Sequence, residues 1–257
     1  MGFGGGHQRP GMSFGPPVTP PVVKNLLIGI AVVFALQLLT QNAYTNVFAV
    51  QPLRVWQEGW LWQPFTYMWF HGSFMHAALN GFVLWMFGSQ MAMAWGAQRF
   101  LRFYLLCGIG AGFIIAVWPY VAYGLGLASA FGLRTFTLGA SGAIYGVMLA
   151  YSLTWPDRTI MLIFPPVAFR AIWLIPIVFG MTMLMSPNGN ISHLGHLGGV
   201  IVGWLYMRRH GRTGPLFSWS QLKYRWRRYR MRGQLRAVRH EEAARRRKRR
   251  NDDRTIH

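Results

Sequence analysis

The feature that most constrains this chain is the scarcity of charged side chains over its first 207 residues. This part carries 8 Lys or Arg residues and 2 acidic residues, Glu58 and Asp157, whereas residues 208–257 carry 18 Lys or Arg and 4 acidic residues. Soluble domains are normally about a quarter charged, so a chain this long with so few charges cannot form a soluble surface. The sequence therefore predicts an integral membrane protein with a basic tail.

Apolar runs define the predicted membrane domain, residues 23–207. A helix needs about 20 apolar residues to cross a bilayer, and windows of this length predict an all-α, polytopic bundle of six transmembrane helices. They cover residues 25–40, 74–95, 100–123, 138–154, 171–185 and 191–207. Residues 1–22 are rich in Gly and Pro and have little to bury, so we expect a disordered segment there.

The placement of basic residues predicts the orientation. Six spans put both termini on one side, and most of the basic residues fall on that side, with only Arg54 and Arg134 on the other. Because Lys and Arg are enriched in cytoplasmic loops, both termini are predicted to be cytoplasmic. The chain also lacks the basic start of a signal peptide. We expect a bacterial inner (plasma) membrane, with an organellar membrane as the alternative.

Residues 208–257 form the predicted cytoplasmic tail, which has basic clusters at 223–230 and 245–250. The first cluster is interleaved with Trp and Tyr. Such segments beside a span are attracted to anionic lipid, at about 1 kcal/mol per charge. Lipid is therefore the expected partner of the tail, and nucleic acid is not expected. Cys107 stands alone in an apolar run, so no disulfide is possible within the chain, and the thiol is predicted to be buried.

Polar side chains inside spans are expensive and usually functional. In this chain they enter at one predicted depth, because each begins, or closely precedes, a span running inward from the outer face. They are His71, His76, Asn80, Ser141, His193 and His196. This shared depth predicts a single polar site near the extracytoplasmic side.

Small residues surround one of these groups, in the stretch Gly139-Ala140-Ser141-Gly142. A nucleophilic serine needs a tight, small-residue start to its helix, so that its oxygen is open and backbone N–H groups can face developing charge. Tyr145 follows Ser141 by four residues and shares its helix face. The alternative is that these small residues only let two membrane helices touch.

A second glycine stripe, Gly195, Gly199 and Gly203, lies on the sixth predicted span and matches Gly142 and Gly146 on the fourth. Two such faces allow close approach of the helix backbones, which would let Ser141 meet a histidine on the sixth span. His196 is the natural candidate because it lies on that span beside the stripe.

Acidic residues are absent from every predicted span. A Ser-His-Asp triad requires a buried carboxylate, so a nucleophilic Ser141 would have to work as a Ser-His dyad, with the Tyr145 ring packing on the imidazole. A metal site is the competing use of the histidines. Their spacing fits no HExxH or HxxxH pattern and no carboxylate accompanies them, so neither a metal nor another cofactor is expected.

The three motifs together resemble the rhomboid family of intramembrane serine proteases. They are the stretch 139–142 with Tyr145, the segment from His71 to Asn80, and the segment from His196 through Gly199 to Gly203. The resemblance covers about residues 62–207. It implies a six-helix rhomboid-like bundle that cleaves transmembrane-segment-containing proteins in or near the membrane.

The resemblance also implies a role for each matching residue. Ser141 would be the nucleophile and His196 the general base, with Tyr145 stacked on the imidazole. His76, Asn80 and the Ser141 backbone N–H would form the oxyanion hole. The supporting residues would be His71, a structural partner, together with Gly139, Gly142, Gly199 and the first-loop tryptophan Trp62.

Two positions depart from the family pattern. Gln63 stands where the family often has Arg, and Ala92 where it often has Glu, which puts the anchoring of the first loop in doubt. A non-catalytic rhomboid-like protein that binds unstable transmembrane helices is the alternative function. A metal-dependent membrane hydrolase is a third.

Overall fold

The computed structural model of the chain describes residues 15–161, 166–185 and 193–210. The predicted disordered segment 1–22 is therefore described only in part, and the basic clusters of the tail lie outside the described residues. The described part belongs to one compact unit, residues 1–212. It is mostly helical, as predicted, with one pair of short strands.

The helices of the first half are separated by a structured loop. Helix α1 spans Pro21–Leu39, and after it come three short helices and a 3₁₀ turn, Tyr67–Trp69. The short helices are α2 (Thr45–Phe48), α3 (Pro52–Gln57) and α4 (Gln63–Thr66). Next come α5 (Phe74–Val83), a π-helical segment (Leu84–Gly88) and α6 (Ser89–Trp95), which follow one another without a break.

The second half begins with α7, Ala97–Gly124, the longest described helix. It is followed by α8 (Phe131–Arg134) and α9 (Ser141–Thr154). Strands β1 (Thr159–Met161) and β2 (Ala168–Arg170) pair antiparallel, with Thr159 opposite Arg170. A 3₁₀ turn, Ala171–Trp173, then precedes α10 (Leu174–Met185), and α11 spans His193–His210.

Helices occur at each of the six predicted spans, with differences at their ends. By length and mean hydropathy, two of the described helices, α1 and α7, are long and apolar enough to cross a membrane. The helical fold is thus confirmed, whereas the count of six spans stays a prediction. The fourth predicted span began at residue 138, but α9 begins at Ser141. Gly139 has a φ of +124°, which no right-handed helix contains.

Helix α9 lies at the centre of the fold and packs against both α7 and α11, which also pack against each other. Glycines set its distance from α11, since a Cβ added to Gly199 would lie 1.8 Å from the carbonyl oxygen of Gly142. One turn further along, a Cβ on Gly203 would lie 3.1 Å from the Cα of Gly146. The two predicted glycine faces therefore meet backbone to backbone. On the other side, a Cβ on Gly146 would meet the Cys107 sulfur at 2.5 Å, and Cys107 is fully buried, as predicted.

Candidate active site

Ser141 is the first residue of α9 and follows a turn at Gly139. Gly139, two residues earlier, has its positive φ fixed by a hydrogen bond from its N–H to the carbonyl oxygen of Tyr67, at 3.0 Å. Thr137 pairs in both directions with Val50 of the first loop, each N–H donating to the other's carbonyl oxygen at 2.8 Å. Ser141 is partly exposed, whereas most of α9 behind it is buried. Ser141 therefore stands, partly exposed, at the start of a helix whose backbone is held in place.

His196 lies within hydrogen-bond distance of that hydroxyl. Its Nε2 is 2.9 Å from the Ser141 Oγ. The imidazole is stacked on the ring of Tyr145, with centroids 4.2 Å apart and planes within 13° of parallel. The contact of Gly199 with Gly142 brings α11 close enough for this hydrogen bond. The structure thus brings together the three residues that the sequence grouped.

The other ring nitrogen of His196, Nδ1, is buried and has no hydrogen-bond partner within the described residues. For Nε2 to accept the serine proton, the neutral ring must carry its own proton on Nδ1, where a triad would place a carboxylate. Packing against Tyr145 orients the ring in place of that acid. The arrangement can therefore act as a base-activated serine, in which imidazole takes the hydroxyl proton during attack on a carbonyl.

His76 lies against the turn that leads to Ser141. A Cβ on Gly139 would lie 2.7 Å from the Cε1 of His76 and 2.8 Å from its Nε2, so only glycine leaves room for the ring. The His76 Nδ1 accepts a long hydrogen bond from the Gly72 N–H, at 3.4 Å. Asn80 is buried one turn further along α5 and donates from Nδ2 to the His76 carbonyl oxygen at 2.9 Å. The Asn80 amide has a second N–H, which is the one available to an oxyanion.

His71 packs edge-on against His76, with ring centroids 5.1 Å apart. It lies in the connection before α5 and is 1% exposed. Burial, together with the neighbouring His76, lowers its pKa to about 4. A neutral ring can accept a hydrogen bond, and Nε2 lies 3.5 Å from the Ala140 N–H. This contact joins the His71 connection to the turn before Ser141.

Gln37 is a supporting residue that the sequence reasoning missed. It is buried in α1, where its Nε2 donates to the His71 carbonyl oxygen at 3.2 Å and its Oε1 accepts from the His71 N–H at 3.0 Å. One side-chain amide thus satisfies both backbone groups of His71. The available signal was an amide in an otherwise apolar predicted span.

Gln63 anchors the first loop, although Arg is common at this position in the family. It is fully buried, accepts a hydrogen bond from the Gln51 N–H at 2.9 Å and donates to the Val47 carbonyl oxygen at 3.3 Å. The neighbouring Trp62 donates from its indole to the same carbonyl oxygen at 2.9 Å. A neutral amide therefore anchors the first loop at the position where the family often has Arg. Ala92, the second departure, is buried in the core.

Comparison with known proteins agrees with this geometry. A family model described as the rhomboid domain matches residues 58–212, more than half of the chain. Rhomboid protein 1, mitochondrial, of Saccharomyces cerevisiae is 30% identical over 138 residues, which are 53% of this chain and 38% of that protein. The presenilin-associated rhomboid-like protein, mitochondrial, of Mus musculus is 32% identical over 140 residues, 53% of this chain and 35% of that protein.

A third relative, RHOMBOID-like protein 12, mitochondrial, of Arabidopsis thaliana, is 30% identical over 198 residues, 73% of this chain and 59% of that protein. The chain thus spans between about a third and three fifths of the length of these relatives. All three are named as mitochondrial. The predicted location in a bacterial plasma membrane with cytoplasmic termini is therefore wrong; charge placement along a chain orients its spans but does not identify the membrane.

Proposed function

The chain belongs to the rhomboid family, and we propose that it is an intramembrane serine endopeptidase that cleaves membrane proteins. The observation that carries the proposal is the 2.9 Å contact between the Ser141 Oγ and the His196 Nε2, held by the stacked Tyr145 ring. A serine that served only in helix packing would need neither a histidine at this distance nor an open approach.

Each proposed role follows from the position of the group. His196 takes the proton of Ser141 as the hydroxyl oxygen attacks a peptide carbonyl, forming a tetrahedral intermediate. Its negative oxygen is stabilised by the Ser141 N–H, the His76 ring and the free N–H of Asn80, each donor supplying about 3 kcal/mol. The imidazolium returns the proton to the leaving amine, and water then hydrolyses the acyl-enzyme.

The proposed substrates are proteins with a transmembrane segment, cleaved in or near the membrane. Their carbonyls are hydrogen-bonded within a helix, so a substrate has to unwind locally to reach Ser141. We place Ser141 toward the end of the bundle that carries the first loop, since Thr137 pairs with Val50. The six predicted helices form the proposed membrane domain, residues 23–207. The proposed compartment is a mitochondrial membrane, following the names of the relatives.

A serine-reactive fluorophosphonate probe tests the chemistry directly on the purified full chain in detergent. We expect labelling of the wild type and its loss, by at least about 100-fold, in Ser141→Ala and His196→Ala. Ser152→Ala is the matched control, because Ser152 lies on the same helix, is buried and bonds only to the Met148 carbonyl oxygen in the described structure. Labelling that survives Ser141→Ala would refute the assignment of the nucleophile.

Cleavage of a single-span protein in liposomes separates the protease from the non-catalytic helix binder. A binder would capture the substrate equally well in the wild type and Ser141→Ala and would yield no fragments from either. A protease yields fragments from the wild type alone. The same assay with a chelator tests the metal-dependent alternative, which predicts loss of the fragments.

The six-span topology has its own test. Cys107 is buried and should not react with a membrane-impermeant maleimide, so single cysteines can be introduced elsewhere. Position 129 lies before α9 and position 157 after it. We expect the cysteines introduced by Ser129→Cys and Asp157→Cys to be labelled from opposite sides of sealed vesicles. Labelling of both from one side would show that α9 does not cross the membrane.

A further inference from the structure

A cavity of about 660 Å³ lies at the end of the fold where α6 meets α7 and α11 ends. Its lining includes Trp95, Arg99, Arg102, Tyr206 and His210. Residues of the Ser141 site are not among those lining it. We propose that this cavity binds the phosphate headgroup of an anionic phospholipid.

The cavity exists because the junction between α6 and α7 has almost no side chains. Gly96 turns the chain with a φ of +81°, and nothing lies within 4 Å of the position of its absent Cβ. Ala97 follows it. The rings of Trp95 and Tyr206 both pack edge-on against Phe103, and the recess lies beside them, between the α6–α7 junction and the end of α11.

Two guanidinium groups supply the charge for a phosphate. Arg99 is half-buried; it stacks over the Trp95 ring at 4.7 Å and donates to the carbonyl oxygen of His210 at 3.1 Å. These contacts fix its planar fork while leaving other N–H donors for a ligand. Arg102 is exposed one turn along α7. In the part of the chain that the structure describes, neither arginine forms an ion pair with a carboxylate.

The surroundings favour a lipid over a free phosphate ion. The recess is much larger than one phosphate group, and aromatic rings form part of its wall. Trp and Tyr rings beside Arg are typical of the level at which lipid headgroups meet the acyl chains. Tyr206 stacks on His210 with centroids 4.7 Å apart, and these rings form a flat wall against which the glycerol and the first carbons of a lipid would pack. Arginine pairs with phosphate oxygens through two parallel hydrogen bonds.

The test uses the full chain in detergent, titrated with phosphatidylglycerol and followed by native mass spectrometry, which counts bound lipids. We expect Arg99→Gln/Arg102→Gln to weaken binding of the first lipid about 30-fold, as the loss of two headgroup contacts predicts. The matched control is Arg208→Gln/Arg209→Gln. It removes the same charge at the same end of the fold, from residues that do not line the cavity, and should change the affinity less than about threefold, because salt screens exposed charges that do not contact the headgroup.

Each other outcome refutes the proposal. Equal weakening in the two double variants would mean that lipid is attracted only by net charge. Equal binding of phosphatidylcholine would exclude recognition of an anionic headgroup, and displacement of the lipid by millimolar inorganic phosphate would assign the cavity to a free anion. Should the double variant fail to fold, Arg102→Gln alone decides, because this side chain is exposed; we expect about fivefold weaker binding.

Discussion

The substitution Gly199→Ala tests whether the glycine contact between α9 and α11 sets the catalytic distance. The added Cβ would lie 1.8 Å from the Gly142 carbonyl oxygen, and the obstacle is rigid backbone. Ordinary contact begins at 3.4 Å, so the two helices must separate locally by about 1.6 Å. Gly199 lies less than one turn from His196, so this displacement is transmitted to the imidazole.

The displacement should break the hydrogen bond between His196 and Ser141. The Nε2 of His196 lies 2.9 Å from the Ser141 Oγ, and adding most of that displacement takes the pair beyond hydrogen-bond range. A misplacement of about 1 Å in a catalytic constellation lowers the rate about 100-fold. We therefore expect Gly199→Ala to lower kcat/KM by about 100-fold or more. Overpacking also destabilises the fold by about 1–3 kcal/mol.

The assay compares three alanine variants by the rate of fluorophosphonate labelling and by cleavage of a single-span substrate. Gly203→Ala meets the Gly146 Cα at 3.1 Å and lies two turns from His196, so we expect a loss below about tenfold. Gly180→Ala on α10 enters open space and should match the wild type. Thermal unfolding in detergent checks that each variant is folded.

We expect the rates of labelling and cleavage to fall in the order Gly180→Ala, Gly203→Ala, Gly199→Ala. If folded Gly199→Ala keeps a rate within threefold of the wild type, the close contact does not position His196. If Gly180→Ala is as slow as Gly199→Ala, alanine acts through general flexibility of the bundle and not through the distance between two helices.

Three further predictions concern the parts around the dyad. Tyr145→Phe keeps the stacked ring and should retain activity within about threefold, whereas Tyr145→Ala should lose at least about tenfold; substrate cleavage checks both. Gln37→Leu removes two buried hydrogen bonds to the His71 backbone and should lower the free energy of unfolding by about 2–3 kcal/mol, measured by thermal unfolding with Gln37→Glu for comparison. Gly139→Ala should displace the His76 ring and lower kcat with little change in KM, since the proposed role of His76 is to stabilise the transition state alone; an unchanged kcat in a folded variant would contradict this.

The positions of the main helices could be predicted because apolar runs in this chain are bounded by polar loops. The pairing of Ser141 with His196 could also be predicted, since glycines repeating every fourth residue on two helices indicate which helix faces approach each other. The ends of the helices were harder to predict. The start of α9 depends on the φ of Gly139, which is fixed by the Tyr67 carbonyl oxygen, a contact between distant segments of the chain.

The structure of the first loop could not be predicted. Its short helices have no regular apolar pattern and are held by isolated hydrogen bonds, such as the one from the Trp56 indole to the Ala116 carbonyl oxygen at 2.9 Å. The role of Gln37 was missed for the same reason: a single amide in an apolar run indicates that a partner exists but not which one. The antiparallel pair β1–β2, only three residues long on each strand, gives no recognisable alternation either.

The hydrogen bonds between Gln37 and His71 have a consequence for how the chain inserts into a membrane. They tie the amide of α1 to a backbone segment 34 residues later in the chain. Without that segment, the described partner left to the Gln37 amide is the Thr45 hydroxyl at 3.2 Å, and an unsatisfied amide group in hydrocarbon is unfavourable by several kcal/mol. Stable insertion of α1 is thus coupled to arrival of the connection before α5, and the first half of the bundle should enter the membrane as one unit during biogenesis.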